Sequence, residues 1–99
     1  MSTSSVVVYK TGSQWRSELP LQQQDHVFGH IRFIRSILES GVADVAGPFT
    51  RLDQHVNGDT VGMIVFRIPL DDALAAVAQD PAVRHGLLVP SGYEFYPVA

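Results

Sequence analysis

The sequence predicts one α+β domain whose strands and helices follow the order β-α-β-β-α-β. Three observations predict this order. β-branched and aromatic runs occur near both ends of the chain and in its middle, apolar residues at helical spacing follow the first run, and an alanine-rich helical segment precedes the last. This is the ferredoxin-like plan, in which both helices lie on one face of the sheet. Because 99 residues is the length of one domain, we expect a single domain over residues 1–99.

The first half of the chain contains a strand, a helix and a second strand. Residues 6–9 form a β-branched and aromatic run, which is typical of a strand. Residues 22–40 carry apolar side chains at i, i+4, i+7 and i+11, the spacing of a helical stripe, and Gly41 is a common helix stop. Residues 42–49, which include a Gly-Pro pair, are the second predicted strand. The helical stripe consists of Val27, Ile31, Ile34 and Leu38.

The second half adds a hairpin loop, a strand, a helix and a last strand. Residues 51–59 contain an Asn-Gly-Asp sequence that predicts a polar hairpin loop, and residues 60–68 are the third strand. Residues 70–79 predict a helix with two aspartates in its first turn, where the helix dipole favours them. The Asp-Pro pair at 80–81 ends this helix, because proline disfavours the helical conformation of the preceding residue. Residues 87–98 form a proline-interrupted strand, which is typical of a sheet edge.

The central strands are apolar on both faces. Within residues 60–68, Ile64 and Phe66 point to one face and Met63 and Val65 to the other. Two helices cover only one face of a sheet, so the second apolar face needs another cover. A second copy of the sheet around a two-fold axis is the simplest cover, and we expect a homodimer through this face. Cover by the chain's own long loops is the alternative.

Composition excludes several classes of function. Charged residues make up 17% of the chain, against about 25% in an average globular protein, and hydrophobic residues make up 45%. The net charge of −3 gives no basic excess, so we expect no nucleic-acid and no membrane partner. The absence of cysteine excludes disulfides, thiolate nucleophiles and cysteine metal sites. Without a secretory or membrane-spanning pattern, a cytoplasmic location is expected.

Four histidines are available as catalytic or ligand side chains. His55 lies in the predicted hairpin loop and His85 follows the Asp-Pro break, so both are most simply solvated loop residues. At about 100° per residue, His30 lies beside the apolar stripe, where periodicity by itself favours a core histidine. His26 and His30 have the i, i+4 spacing of a zinc-binding helix, but the glutamate of that motif is missing. Gly29, inside the helix, leaves room for a ligand or another backbone, or is simply tolerated.

The sequence resembles the YCII (YciI-like) family over residues 6–98. The early loop is similar to that of the longer-looped branch of the family, through Gly12, Trp15 and Pro20. The other motifs that carry the resemblance are, in chain order, His30, the apolar helix, Gly41, Ala46-Gly47-Pro48, the two-sided strand, Asp80-Pro81 and Gly86.

The resemblance implies a ferredoxin-like domain that dimerises sheet to sheet into an α/β barrel. It also implies a His–Asp pair as the active site, which corresponds here to His30 and Asp80. A carboxylate bound to one imidazole nitrogen fixes the tautomer and leaves the other nitrogen free as an acceptor. It also stabilises the imidazolium that forms when the base takes a proton. The alternative for Asp80 is a structural one, because Asp before Pro is a common turn or capping residue.

A proton-abstracting base also needs a group that receives the developing negative charge. Arg16, beside Trp15 in the first loop, is the cation-plus-aromatic candidate for an acidic or phenolic planar ligand. Arg67, on the third predicted strand, is a second substrate-binding candidate. An exposed loop arginine and an arginine emerging at a strand end are the alternatives for these two residues.

We therefore expect a small enzyme without cofactor or metal, in which His30 is the general base and Asp80 orients it. The reaction class is isomerisation or elimination on a small ring or planar substrate. The resemblance supports this class, because dehydrochlorination of a chlorinated hydroxyquinol is known among YCII-like proteins and relatives in the wider barrel superfamily isomerise lactones. The alternative is a non-catalytic dimer that binds a small metabolite or supports a larger pathway.

Overall fold

Within the described residues, four antiparallel strands form a single sheet. They are β1 (Ser4–Thr11), β2 (Ala43–Pro48), β3 (Thr60–Phe66) and β4 (Leu88–Phe95). Their order across the sheet is β2-β3-β1-β4, so β3 and β1 are central and β2 and β4 are the edges. The computed structural model describes residues 4–50, 55–56 and 58–98.

In the described part of the chain, three helices and one 3₁₀ turn connect the strands. The helices are α1 (Val27–Glu39), α2 (Leu70–Val77) and α3 (Pro81–Arg84), and the 3₁₀ turn is Leu21–Gln23. None of the helices in the described part of the chain is both long enough and apolar enough to cross a membrane. The predicted α+β order is confirmed, with α3 as an addition between α2 and β4.

The start of α1 differs from the prediction. The helix begins at Val27 rather than at residue 22, and His26 before it has a left-handed backbone with φ of 68°. The reason is the buried side chain of Gln24. Its amide nitrogen donates to the carbonyl oxygens of Arg16 (2.6 Å) and Leu19 (3.0 Å), and its amide oxygen accepts from the Arg16 backbone N–H at 2.9 Å. These bonds fold the polar loop before the helix and hold Gln24 in an extended conformation.

Other boundaries also move. The third strand ends at Phe66 instead of 68, the second helix ends at Val77 instead of 79, and the last strand covers Leu88–Phe95 instead of 87–98. The Asp-Pro pair ends α2 as predicted, but it also begins α3, where Pro81 occupies the first helical turn. Most of the predicted hairpin loop, residues 51–54 and 57, lies outside the described residues.

The helices cover the sheet face that carries Ser5, Val7 and Tyr9 of β1. In the register with β3, Ser5 lies opposite Phe66 and Val7 opposite Ile64, and all of these side chains are buried. The core is completed by small and aliphatic residues of α2, α3 and the start of β4, namely Ala73, Val77, Ala82, Leu87 and Leu88. The helix-covered face of β3 therefore carries Ile64 and Phe66, which share one face as the alternation predicts.

The opposite sheet face is apolar and open to solvent. In the registers of β1, Val6 lies opposite both Val65 and Tyr93, and Val8 lies opposite Met63. Tyr93 is 56% exposed and Val45, on β2, is 54% exposed. Val89 and Phe95 of β4 are also exposed. The described chain thus leaves a continuous apolar surface, which we call the open sheet face, without a complete cover.

Gly62 is required where β2 and β3 pair. A Cβ at this position would lie 2.6 Å from the carbonyl oxygen of Gly47 and 3.0 Å from Cα of Pro48, both backbone atoms. We expect Gly62→Ala to lower the free energy of unfolding by about 1–3 kcal/mol, because the strands must move apart. Urea unfolding followed by circular dichroism measures this change.

Gly47→Ala is the matched control, because a Cβ at Gly47 meets nothing within 4 Å. Alanine is favoured over glycine in strand interiors by roughly 0.5–1 kcal/mol, so this variant is expected to keep or slightly raise the stability. An equal loss in the two variants would contradict the steric explanation for Gly62.

Candidate active site

Asp80 is fixed by the turn between α2 and α3. Its backbone N–H donates to the carbonyl oxygen of Val77 at 3.0 Å, which continues the last turn of α2. Its side chain caps α3, since Oδ1 accepts a hydrogen bond from the N–H of Ala82 at 2.9 Å. The residue is fully buried. The capping interpretation made from the sequence is thus correct for one carboxylate oxygen, and the other oxygen is left for different partners.

The second oxygen of Asp80 contacts two aromatic side chains. Oδ2 lies 2.6 Å from Nδ1 of His30 and accepts a hydrogen bond of 3.0 Å from the hydroxyl of Tyr9. An ionised carboxylate only accepts hydrogen bonds, so Nδ1 of His30 carries the proton and Nε2 is left as a lone-pair acceptor. His30 and Asp80, the pair that the family resemblance implies, are therefore in direct contact.

Tyr9 contributes a fixed donor to this cluster. Its side chain is buried, and its ring packs edge-on against the His30 imidazole with centroids 5.2 Å apart. Burial, followed by the charge of Asp80 and the hydrogen bond to it, raises the pKa of Tyr9 far above its ordinary value. The raised pKa favours the protonated hydroxyl, which is the form that donates to Asp80. Sequence reasoning had assigned Tyr9 only to the first strand.

Two further contacts hold α1 against α3. A Cβ at Gly29 would lie 3.1 Å from Cβ and 3.2 Å from Cγ of Pro81, so the helix backbone approaches the proline ring as closely as a glycine allows. At the ends of the two helices, the rings of His26 and His85 stack with centroids 4.0 Å apart. Of the two interpretations of Gly29 from the sequence, the close approach of another chain segment is the one that the structure supports. The contacts flank His30 and set its distance to Asp80.

The other edge of His30 faces a cleft of about 330 Å³ between α1 and the sheet. Val27, Ile31 and Ile34 of the helical stripe form one wall, and Val61, Gly62 and Met63 of β3 belong to the other. The apolar stripe that periodicity assigns to the core thus lines a cavity. Its volume is at the lower end of the range for small-molecule sites, roughly 300–1,000 Å³. The His30 side chain is 17% exposed and Asp80 is not exposed. Of the two residues, only His30 lines the cleft.

The predicted substrate-binding residues lie elsewhere. Arg16 is exposed and pairs with Glu18 at 2.9 Å, and Trp15 packs at the margin of the core. Arg67 is exposed at the end of β3 and pairs with Asp44. None of Trp15, Arg16 and Arg67 belongs to the lining of the cleft.

Arg35 is a cleft residue that the sequence reasoning missed. The sequence points to Arg16 and Arg67 as substrate-binding candidates and not to Arg35. In the structure it lines the cleft. The available signal was its i+4 spacing from Ile31, which puts both side chains on one edge of the stripe.

Comparison with known proteins leaves the family open. No protein-family model matches the chain, and a search of curated proteins finds no match either. The resemblance to the YCII family therefore stays an expectation that rests on the motifs of the sequence. Within the described residues, no three histidine or carboxylate side chains are grouped as metal ligands would be, and His26 stacks on His85 instead of joining His30.

The buried Tyr9 hydroxyl predicts an alkaline loss of stability. Below the ordinary tyrosine pKa of about 10, both the folded and unfolded chains keep the proton and the stabilisation is fully present. Above that pH the unfolded chain loses the proton while the folded chain retains it, so the free energy of unfolding falls as the pH rises. Urea unfolding of the wild type and Tyr9→Phe between about pH 8 and about pH 11 isolates this slope.

Tyr9→Phe is expected to be less stable by about 1–3 kcal/mol near pH 8, because buried Asp80 loses one donor. Its stability should also fall less steeply than that of the wild type at high pH. Parallel alkaline slopes in the two proteins would show that Tyr9 is not protected from ionisation.

Proposed function

We propose that this protein is a small enzyme in which His30 abstracts a proton from a substrate bound in the cleft, and Asp80 orients and stabilises the base. The single observation that carries the proposal is the 2.6 Å contact between Nδ1 of His30 and Oδ2 of Asp80, with the same imidazole lining the cleft. The cleft is apolar, which favours small ring or planar substrates.

The chemistry follows from the assigned tautomer. Nε2 of His30 takes a proton from a carbon next to a carbonyl or similar group, and the electron pair of that C–H bond moves into the adjacent π system. In an isomerisation, the imidazolium returns the proton to a different carbon. In an elimination, a leaving group departs from the neighbouring carbon with its electron pair. General-base catalysis of this kind contributes typically about 10²–10⁴-fold.

Asp80 supports each step without changing its own protonation. Its negative charge lies against the imidazole edge opposite the substrate and stabilises the imidazolium formed after proton transfer. The bonds from Tyr9 and Ala82 hold the carboxylate in place. A protein that only binds a metabolite does not require a buried carboxylate behind its histidine, and this favours the enzyme over the non-catalytic alternative.

We also propose that the protein is a homodimer through the open sheet face. Exposed apolar side chains on this face include Val45, Val89, Tyr93 and Phe95. A second copy related by a two-fold axis would cover all of them at once, because an isologous interface uses the same surface twice. This arrangement is the sheet-to-sheet barrel that the family resemblance implies.

Proton abstraction is tested by exchange in deuterated water. Five-membered lactones with enolisable C–H groups are incubated with the protein, and loss of the proton signal is followed by NMR. We expect His30→Ala to reduce the catalysed exchange by at least about 100-fold and Asp80→Asn by at least about 10-fold. His55→Gln is the matched control, because it also removes an imidazole and His55 lies outside the cleft lining.

Two results would count against the enzyme. One is exchange by His30→Ala at the wild-type rate. The other is wild-type exchange no faster than buffer across the lactone series while the same compounds bind in the cleft, which would support the non-catalytic binding protein.

The dimer is tested by analytical ultracentrifugation. We expect the wild type to sediment as a dimer, and Tyr93→Asp to weaken association by at least about tenfold, because it places a charge on the open sheet face opposite Val6. Phe28→Asp is the control, since Phe28 is 68% exposed but lies on α1. A monomeric wild type, or equal weakening by both substitutions, would contradict this interface.

A further inference from the structure

Among the described residues that line the cleft, Arg35 carries a permanent positive charge. Of the described residues that line it, Arg35 alone is an arginine or lysine, and none is an aspartate or glutamate. Arg35 forms no ion pair or hydrogen bond with the described part of the chain, in contrast to Arg16 and Arg67, which both pair with carboxylates. The guanidinium that lines the cavity therefore has no carboxylate partner among the described residues.

Arg35 and His30 lie on opposite edges of the apolar stripe. At about 100° per residue they are roughly 140° apart around α1, with Ile31 and Ile34 between them. Five residues of helix separate them by about 7.5 Å along the axis. A ligand that lies along the stripe therefore meets the imidazole at one end and the guanidinium at the other, with apolar contacts between the two.

The charge of the cleft selects among ligands. A guanidinium binds a carboxylate through two parallel hydrogen bonds, and such charge-assisted bonds are strong where water is excluded. The described residues of the lining include no carboxylate to bind a cation, and Arg35 would repel one. A neutral apolar ligand would form no ion pair with the guanidinium. Although the chain as a whole has a net charge of −3, this cavity is locally positive.

We infer that the ligand of the cleft is a small monoanionic acid with an apolar body about the size of one ring. Its carboxylate binds Arg35, and the carbon that loses a proton lies at Nε2 of His30. This inference rests on the proposed function, whose substrate class it specifies. It also moves the anion-binding role from Arg16, where the sequence placed it, to a residue of the same cavity as the base.

The test compares benzoate with benzyl alcohol, which have the same ring and differ in charge. Binding is measured by calorimetry and by chemical-shift changes of backbone amides. We expect the wild type to bind benzoate at least about tenfold more tightly than benzyl alcohol, and Arg35→Gln to lose this preference. High salt should weaken benzoate binding and leave benzyl alcohol unaffected. The exposed position of Arg35 makes the variant a mild change for the fold.

Arg32→Gln is the matched control, because Arg32 carries the same charge on the same helix and lies outside the cleft lining. It is expected to keep the preference for benzoate. The inference is overturned if the wild type does not bind benzoate or binds both compounds equally, if Arg35→Gln keeps the preference, or if Arg32→Gln loses it to the same extent.

The two proposals fail separately. If His30→Ala abolishes proton exchange but Arg35→Gln leaves the preference for anions unchanged, the anionic substrate class is wrong and the general base stands. If benzoate binding depends on Arg35 but no proton exchange occurs, the cleft binds acids and the catalytic role of His30 is wrong.

Discussion

A buried carboxylate that must remain hydrogen-bonded organises this structure. An ionised side chain in an apolar interior costs several kcal/mol unless donors surround it, and Asp80 has three, from Tyr9, His30 and the backbone of Ala82. The donors belong to β1, α1 and α3, so the carboxylate connects the centre of the sheet with α3 and with α1, the helix that lines the cleft. Among the described residues, no buried side-chain polar atom lacks a partner. The fold and the candidate site therefore depend on the same group.

The members of this cluster differ in their exposure to solvent. Asp80 and Tyr9 are buried, whereas one edge of His30 reaches the cleft. A substrate can meet the imidazole without contacting the carboxylate, and water has no direct path to Asp80. The imidazole also packs edge-on against the Tyr9 ring, so its orientation is set by packing as well as by hydrogen bonding. Because the His30 side chain is already fixed, it loses little conformational entropy when a ligand binds.

Much of the fold follows from periodicity, because alternation and helical spacing are local properties of the chain. The start of α1 could not be predicted in this way, since Gln24 is fixed by bonds to Arg16 and Leu19 that form only when the loop folds. The pairing of His30 with Asp80 joins residues 50 positions apart. No spacing rule reaches that far, and only the family resemblance pointed to it. Arg35 was missed because periodicity assigned the stripe to a filled core, leaving no cavity for an arginine to line.

The close approach of Gly29 to Pro81 makes these two positions dependent on each other. A Cβ added at Gly29 would lie 3.1 Å from Cβ of Pro81, so a side chain at 29 would require the proline ring to shift. In related sequences, a larger residue at one position should be accompanied by a smaller residue at the other. The effects of substitutions at this pair on stability would therefore be non-additive. In an alignment, the constraint that keeps α1 close to α3, and so His30 close to Asp80, would be visible as covariation between two residues that take no part in the chemistry.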